Sequence, residues 1–146
     1  MANRDTPYGA FNFVVTFEGG DTFGGFSDVS GIGTEITVAE YRNGDEKENH
    51  VRKVPGVHKV SDVTLKRGII GSLGLYQWID QIRNGDPAGL RNVVIQLQNE
   101  DHTAIVMTWK LLRARIIKHT SGPLNGKGTD VAMEEITLAY ERLELE

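Results

Sequence analysis

The chain contains no cysteine. A disulfide, a thiolate nucleophile and a zinc–thiolate centre are therefore excluded. No apolar run approaches the roughly 20 residues needed to cross a bilayer. The first residues, "MANRDTPYGA", are polar and lack the apolar core of a signal peptide. No Asn-x-Ser/Thr sequon occurs. These absences suit a protein made in a reducing cytoplasm, with release possible as part of a particle. Excess positive charge is also missing: the net charge is −4, which argues against a dedicated nucleic-acid binder.

The usual marks of catalysis are missing too. The run Gly126-Lys127-Gly128-Thr129 fails the P-loop pattern. Lys127 is followed by glycine, Ser121 stands where the first glycine belongs, and the run lies between two strand-like segments. "GIIGSLG" over 68–74 lacks the glycine spacing of a dinucleotide fingerprint. His50, His58, His102 and His119 show no ligand spacing and read as solvated surface residues. Glu100-Asp101 and Glu134-Glu135 are adjacent pairs, and neighbours on a strand point to opposite faces, so neither is an acid–base dyad. No serine has a nucleophile-elbow context. The expectation is a non-enzymatic protein with no cofactor and no metal.

What remains is a well-patterned β sequence. With 146 residues, 39% hydrophobic and 25% charged, the chain suits one domain with a real core. "AFNFVVTFE" (10–18) puts Phe11, Phe13, Val15 and Phe17 on one face of a strand. Gly19-Gly20-Asp21 reads as a turn, and the glycine-broken stretch 23–33 as irregular. "TEITVAEYR" (34–42) is another strand. Residues 43–58 are polar, mixed in charge and long for a plain connection. They are either disordered or an extended arm that orders on a partner. Val63 and Leu65 alternate with polar neighbours in a strand over 60–66. A helix over 72–84 follows, with Ser72 as its cap. Leu75, Trp78, Ile79 and Ile82 form its apolar stripe, and Asn84-Gly85 its stop. "RNVVIQLQN" (91–99) alternates, Glu100-Asp101-His102 makes a tip, and the next strand carries Ile105, Met107, Trp109 and Leu111 on one face. The last segment, 130–146, fits a helix stripe or a strand with a bulge near Glu134-Glu135. No internal repeat is visible.

Charge is unevenly spread. Residues 110–118 hold four cations and no acid, and residues 130–146 hold six acids against one base. Such strands pair their charges across a ladder, or meet between copies of the chain. Lys66-Arg67-Gly68, at the end of the 60–66 strand, poses the same choice between solvated cations and charges presented to a neighbour.

In order along the chain, "FNFVVTFEG", "GGFSDVSGIGTEITVAEYRNG", "VRKVPGVHKVSDVTLKRGI", "LYQWI", "MTWKLLRAR" and "VAMEEITLAYERLEL" resemble the tube protein of contractile phage tails and of phage-tail-like contractile injection systems. The type VI secretion hemolysin-coregulated tube protein is a more distant likeness. The resemblance covers nearly all of residues 1–146, taken as a single tail-tube domain. It implies a mainly β fold: two packed antiparallel sheets in a barrel-like sandwich, one flanking helix and an extended hairpin arm. It turns the C-terminal segment towards strand. It implies hexameric rings stacked into a hollow tube inside a sheath, with the arm at 43–58 as a contact between rings. The implied partners are further copies of the chain, the sheath protein, baseplate or spike-hub and tube-terminating proteins, and a lumenal cargo of effector protein or DNA. Direct membrane insertion is not implied. Residues expected at contacts between subunits or rings are Arg42, Asp45, Glu46, Lys47, Glu48, Arg52, Lys53, Lys66, Arg67, Arg113, Arg115, Glu141 and Glu144. The competing expectation is a monomeric β-sandwich that binds a ligand through Tyr8, Phe23, Phe26 and Tyr41.

Overall fold

A computed structural model describes residues 6–18, 25–71 and 73–146 of the chain. The elements run β1 (Phe13–Phe17), β2 (Asp28–Ser30), β3 (Thr34–Tyr41), β4 (Arg52–Val60), β5 (Val63–Gly68), α1 (Gly74–Arg83), a 3-10 turn (Pro87–Gly89), β6 (Arg91–Gln98), β7 (Ile105–Ser121), β8 (Met133–Ala139) and β9 (Arg142–Leu145). Seven strands make one curled antiparallel sheet in the order β1-β6-β7-β8-β5-β2, with β9 on β7. Among the described residues, strands β3 and β4 pair only with each other. Among the described residues the sheet does not close: β1, β2 and β9 each have one partner and leave open edges.

The curl is built into β7. Its first half pairs with β6 and β9, and its second half with β8, so one strand serves both walls of the sandwich. The switch falls at an irregularity where Arg113 adopts a left-handed φ of 53°. That conformation costs a β-strand residue on the order of 1–2 kcal/mol. The Arg113 N–H is held there by Asn92 Oδ1 at 3.0 Å. The extra residue moves the buried phase from Leu111 to Ala114 and Ile116, which turns the strand from one wall to the other.

Between the walls, Val63, Leu65, Val93, Leu111, Ile136 and Leu138 are sealed from solvent. Each such side chain contributes about 1.5–3 kcal/mol of burial. The helix closes one end of the sandwich. Leu75 and Trp78 are buried, and Ile79 and Ile82 pack behind them, as the stripe predicts. Trp78 meets Phe17 edge-on at 5.4 Å and donates from Nε1 to Gly89 O at 2.7 Å. Gly85, with φ +77°, ends the helix where the Asn84-Gly85 signal placed it. At the other end, Phe13, Val29, Ile32, Ile95, Leu97 and Trp109 line a hollow of about 550 Å³ beside the open seam.

Several expectations need correction. The segment 52–58 is not disordered: it is most of β4, in register with β3 from Tyr41↔Arg52 to Thr34↔Val60. The strand expected over 60–66 starts at Val63 and runs through Gly68, because the chain breaks at Ser61-Asp62. There a Cβ on Gly31 (φ +88°) would lie 2.4 Å from Asp62 O, so only glycine fits. The glycine-broken stretch still forms the short strand β2, paired with Thr64–Lys66. Phe11 precedes β1 and is 75% exposed, outside the apolar row of Phe13, Val15 and Phe17. The helix starts after Leu73, not at 72. Ser72, Phe23 and the expected turn at 19–21 lie outside the described residues. The C-terminal segment is strand, as the resemblance implied, but it has no bulge at Glu134-Glu135. Its buried row is continuous, because Glu134 itself faces inward in phase with Ile136, Leu138 and Tyr140.

Candidate assembly surfaces

The β3–β4 ribbon is the most unusual surface. Every residue from Thr34 to Tyr41 is exposed, and so is every residue from Arg52 to Lys59. Ile36, Val38, Tyr41, Val54 and Val57 all keep large apolar surfaces in water. A two-stranded ribbon so little covered by its own subunit is marginal by itself. Its ladder is helped by opposite charges at Glu35↔Lys59 and Glu40↔Lys53. A bulge sits at Gly56, where a Cβ would lie 2.9 Å from Thr37 O.

The tip of the ribbon is organised by its own charges. Arg42 donates from Nη2 to Glu46 O at 3.0 Å and from Nε to Glu48 O at 3.1 Å. Arg52 reaches Glu46 at 3.1 Å, and Tyr41 OH donates to Asn43 Oδ1. Arg42, Glu46, Glu48 and Arg52 therefore come together in one tip, whereas Asp45, Lys47 and Lys53 are exposed and make no ion pair among the described residues. A guanidinium with five donors in a fixed fork suits the capture of two loop carbonyls.

The basic and acidic strands meet within the chain. Arg113 and Arg115 both engage Glu141, the latter at 4.0 Å. Lys110 donates to Glu146 Oε1 at 2.6 Å, which raises its ammonium above the ordinary lysine value. Glu144 pairs with Arg142 at 3.3 Å, and Lys66 lies 3.8 Å from Glu135. All these groups stand partly in solvent, where single pairs contribute little.

Arg67 overturns the expectation placed on it. Its side chain is 1% exposed and faces its own core, not a neighbour. Nε donates to Glu134 Oε1, and the guanidinium lies 5.9 Å from the centre of the Phe26 ring. His119 Nε2 is 3.2 Å from the other Glu134 oxygen, so this histidine is not a solvated surface residue. The register explains the burial: Arg67 is in phase with Val63 and Leu65, and it pairs directly with Glu134. Glu134 and His119 are the residues that sequence reasoning missed here. The available signal was two opposite charges, each in phase with a buried row.

Of the four aromatics expected on a ligand face, Phe23 lies outside the described residues and Tyr8 lines the hollow at the seam. Phe26 packs on Phe17 at 6.0 Å, while Tyr41 stands on the ribbon. Among the described residues no group of three His, Asp or Glu side chains converges on a metal-sized site.

The T4-like virus tail tube protein gp19 family matches residues 9–144. The chain belongs to that tail tube family. Its members are structural tube proteins, and this chain is a tube subunit. A chain in the sheath–tube complex of the extracellular contractile injection system PVC, in the extended state, is 27% identical with a TM-score of 0.85; the match covers 97% of this chain and 93% of that one. A chain in the PVC sheath/tube terminator structure is 29% identical at a TM-score of 0.85, over 97% and 98% of the two chains. Hcp1 from Flavobacterium johnsoniae shares the fold at 14% identity and a TM-score of 0.56, over 92% and 94%. No curated protein matches the chain. No described helix of this tail tube protein is long and apolar enough to cross a membrane.

Proposed function

We propose that the chain assembles into hexameric rings, and that the rings stack into the hollow inner tube of a contractile tail or contractile injection system. The β3–β4 ribbon carries this reading. It is exposed on both faces and rich in apolar side chains, so it calls for a surface outside its own subunit. Its tip, where Asp45, Lys47 and Lys53 make no ion pair among the described residues, forms the contact between rings. Lys66, Arg113, Arg115, Glu141 and Glu144 supply charge at the borders between subunits. The sheath surrounds the tube, and baseplate or spike-hub and terminator proteins cap its ends. Support for these partners comes from similar chains, which occur in a sheath–tube complex, a tube terminator and a baseplate. Effector protein or DNA passes through the lumen.

Sedimentation velocity and negative-stain microscopy over rising concentration test the reading. Rings or tubes are expected. A particle that stays monomeric, alone and with baseplate components, returns the chain to a single-domain binding module.

A further inference from the structure

The ribbon and a second apolar surface lie at opposite ends of the same strands. Strand β2 leaves the sheet at Ser30, beside Thr64, and Gly33 O accepts the Ser61 N–H. The ribbon is therefore rooted at the Val63 end of β5. At the Gly68 end, about 17 Å away along a six-residue strand, the chain turns outward through Ile69, Ile70 and Leu73. Ile70 is 68% and Leu73 66% exposed. Val131, 74% exposed, lies against Gly68, and the Ile69 N–H donates to Ala132 O at 2.9 Å. Next to it, Pro123, Asn125, Val131 and Met133 line a hollow of about 540 Å³. The rim is thus apolar along Ile69, Ile70, Leu73 and Val131, and the hollow beside it is mixed, because Asn125 and Asp130 also line it; no part of its own chain fills it among the described residues.

Large exposed apolar patches mark contact sites. Two that differ in shape and point to opposite ends of one subunit cannot satisfy each other within it. They can do so between copies in a head-to-tail contact, which repeats without closing and builds a filament. Charge does not oppose this. Residues 34–60 carry five acids and five bases, and residues 69–73 and 122–132 together carry one of each. We infer that the β3–β4 ribbon of one copy seats on the rim formed by Ile69, Ile70, Leu73 and the 122–132 loop of a second copy of this chain. The inference rests on the tube reading and adds the surface that receives the ribbon.

The absence of native cysteine makes a clean test possible. Val54→Cys on the ribbon and Ile70→Cys or Val131→Cys on the rim are prepared as separate proteins. They are mixed, assembled, checked by microscopy and treated with a short bis-maleimide. The expected product is a band of twice the chain mass that appears only when a ribbon variant and a rim variant are both present. Tubes without that band, or with cross-links between Val54→Cys copies alone, overturn the inference and leave the tube reading standing. Failure of the unaltered chain to form any ring or tube removes both. If the cysteine variants do not assemble, hydrogen exchange on unaltered tubes decides. Protection must rise at 34–60 and at both 69–73 and 122–132, and a rise at the ribbon alone is contrary.

Discussion

Removing the carboxylate of Glu134 should cost about 3–5 kcal/mol of folding stability. Arg67 is 1% exposed, and Glu134 is the only group that forms an ion pair with it among the described residues. Breaking a buried pair from one side leaves an uncompensated charge in the core, which is where that magnitude comes from. Glu134→Gln is the sharpest form, since it keeps the volume and an acceptor for Arg67 Nε but discards the charge. A domain of this size has about 5–15 kcal/mol in all. The variant should therefore lose a large share of it and melt roughly 6–20 °C lower. Urea unfolding followed by circular dichroism and by Trp78 and Trp109 fluorescence reads the change. Replacing both partners, as Arg67→Met with Glu134→Leu, should be neutral or stabilising, because two desolvation costs vanish together. A loss below about 1 kcal/mol for Glu134→Gln would refute the reasoning and mean that the pair is well hydrated. Arg67→Glu, which would leave the fold intact if the cation served a neighbour, should instead unfold the subunit by setting two carboxylates face to face.

Trp78→Ala should cost about 3–5 kcal/mol and give insoluble protein, since the ring is buried against Phe17 and under Arg91; a soluble, folded variant that only fails to form rings would place this helix face at a subunit border. Burial raises the Tyr140 phenol above its ordinary value. A folded value above the unfolded one means that stability falls as pH rises from about 10 through the folded value, and Tyr140→Phe should flatten that alkaline decline in a melting series. Asn92→Ala should cost about 1–2 kcal/mol by releasing the left-handed Arg113, measured by urea unfolding; an unchanged midpoint would show that the bend in β7 needs no pin. Hydrogen exchange at 43–51 should be fast in the free subunit and slow in stacked rings, and equal protection in both would remove the tip from the ring contact.

The strands of the sandwich were legible because each has one buried face, and burial of one face writes a period of two into the sequence. The helix was legible for the same reason at a period near 3.6. Strand β4 left no such mark: both its faces are exposed, and Pro55 and Gly56 interrupt it. Its partner β3, not a core, makes it a strand. The bend in β7 was also hidden, since a single left-handed arginine held by Asn92 has no sequence signature. Arg67 was misread through the rule that cores have no need of charge. Its phase with Val63 and Leu65, and that of Glu134 with Ile136 and Leu138, carried the correct placement. The apparent bulge at Glu134-Glu135 came from the same oversight, because counting Glu134 as an inward residue makes the row continuous.

Cryo-electron microscopy of the purified, concentrated chain tests the central claim most directly. End-on views should show hollow rings with six-fold symmetry, and side views should show rings stacked at a constant rise with density for the β3–β4 ribbon crossing each ring boundary. Isolated single subunits at every concentration, or closed particles without a channel, would contradict it.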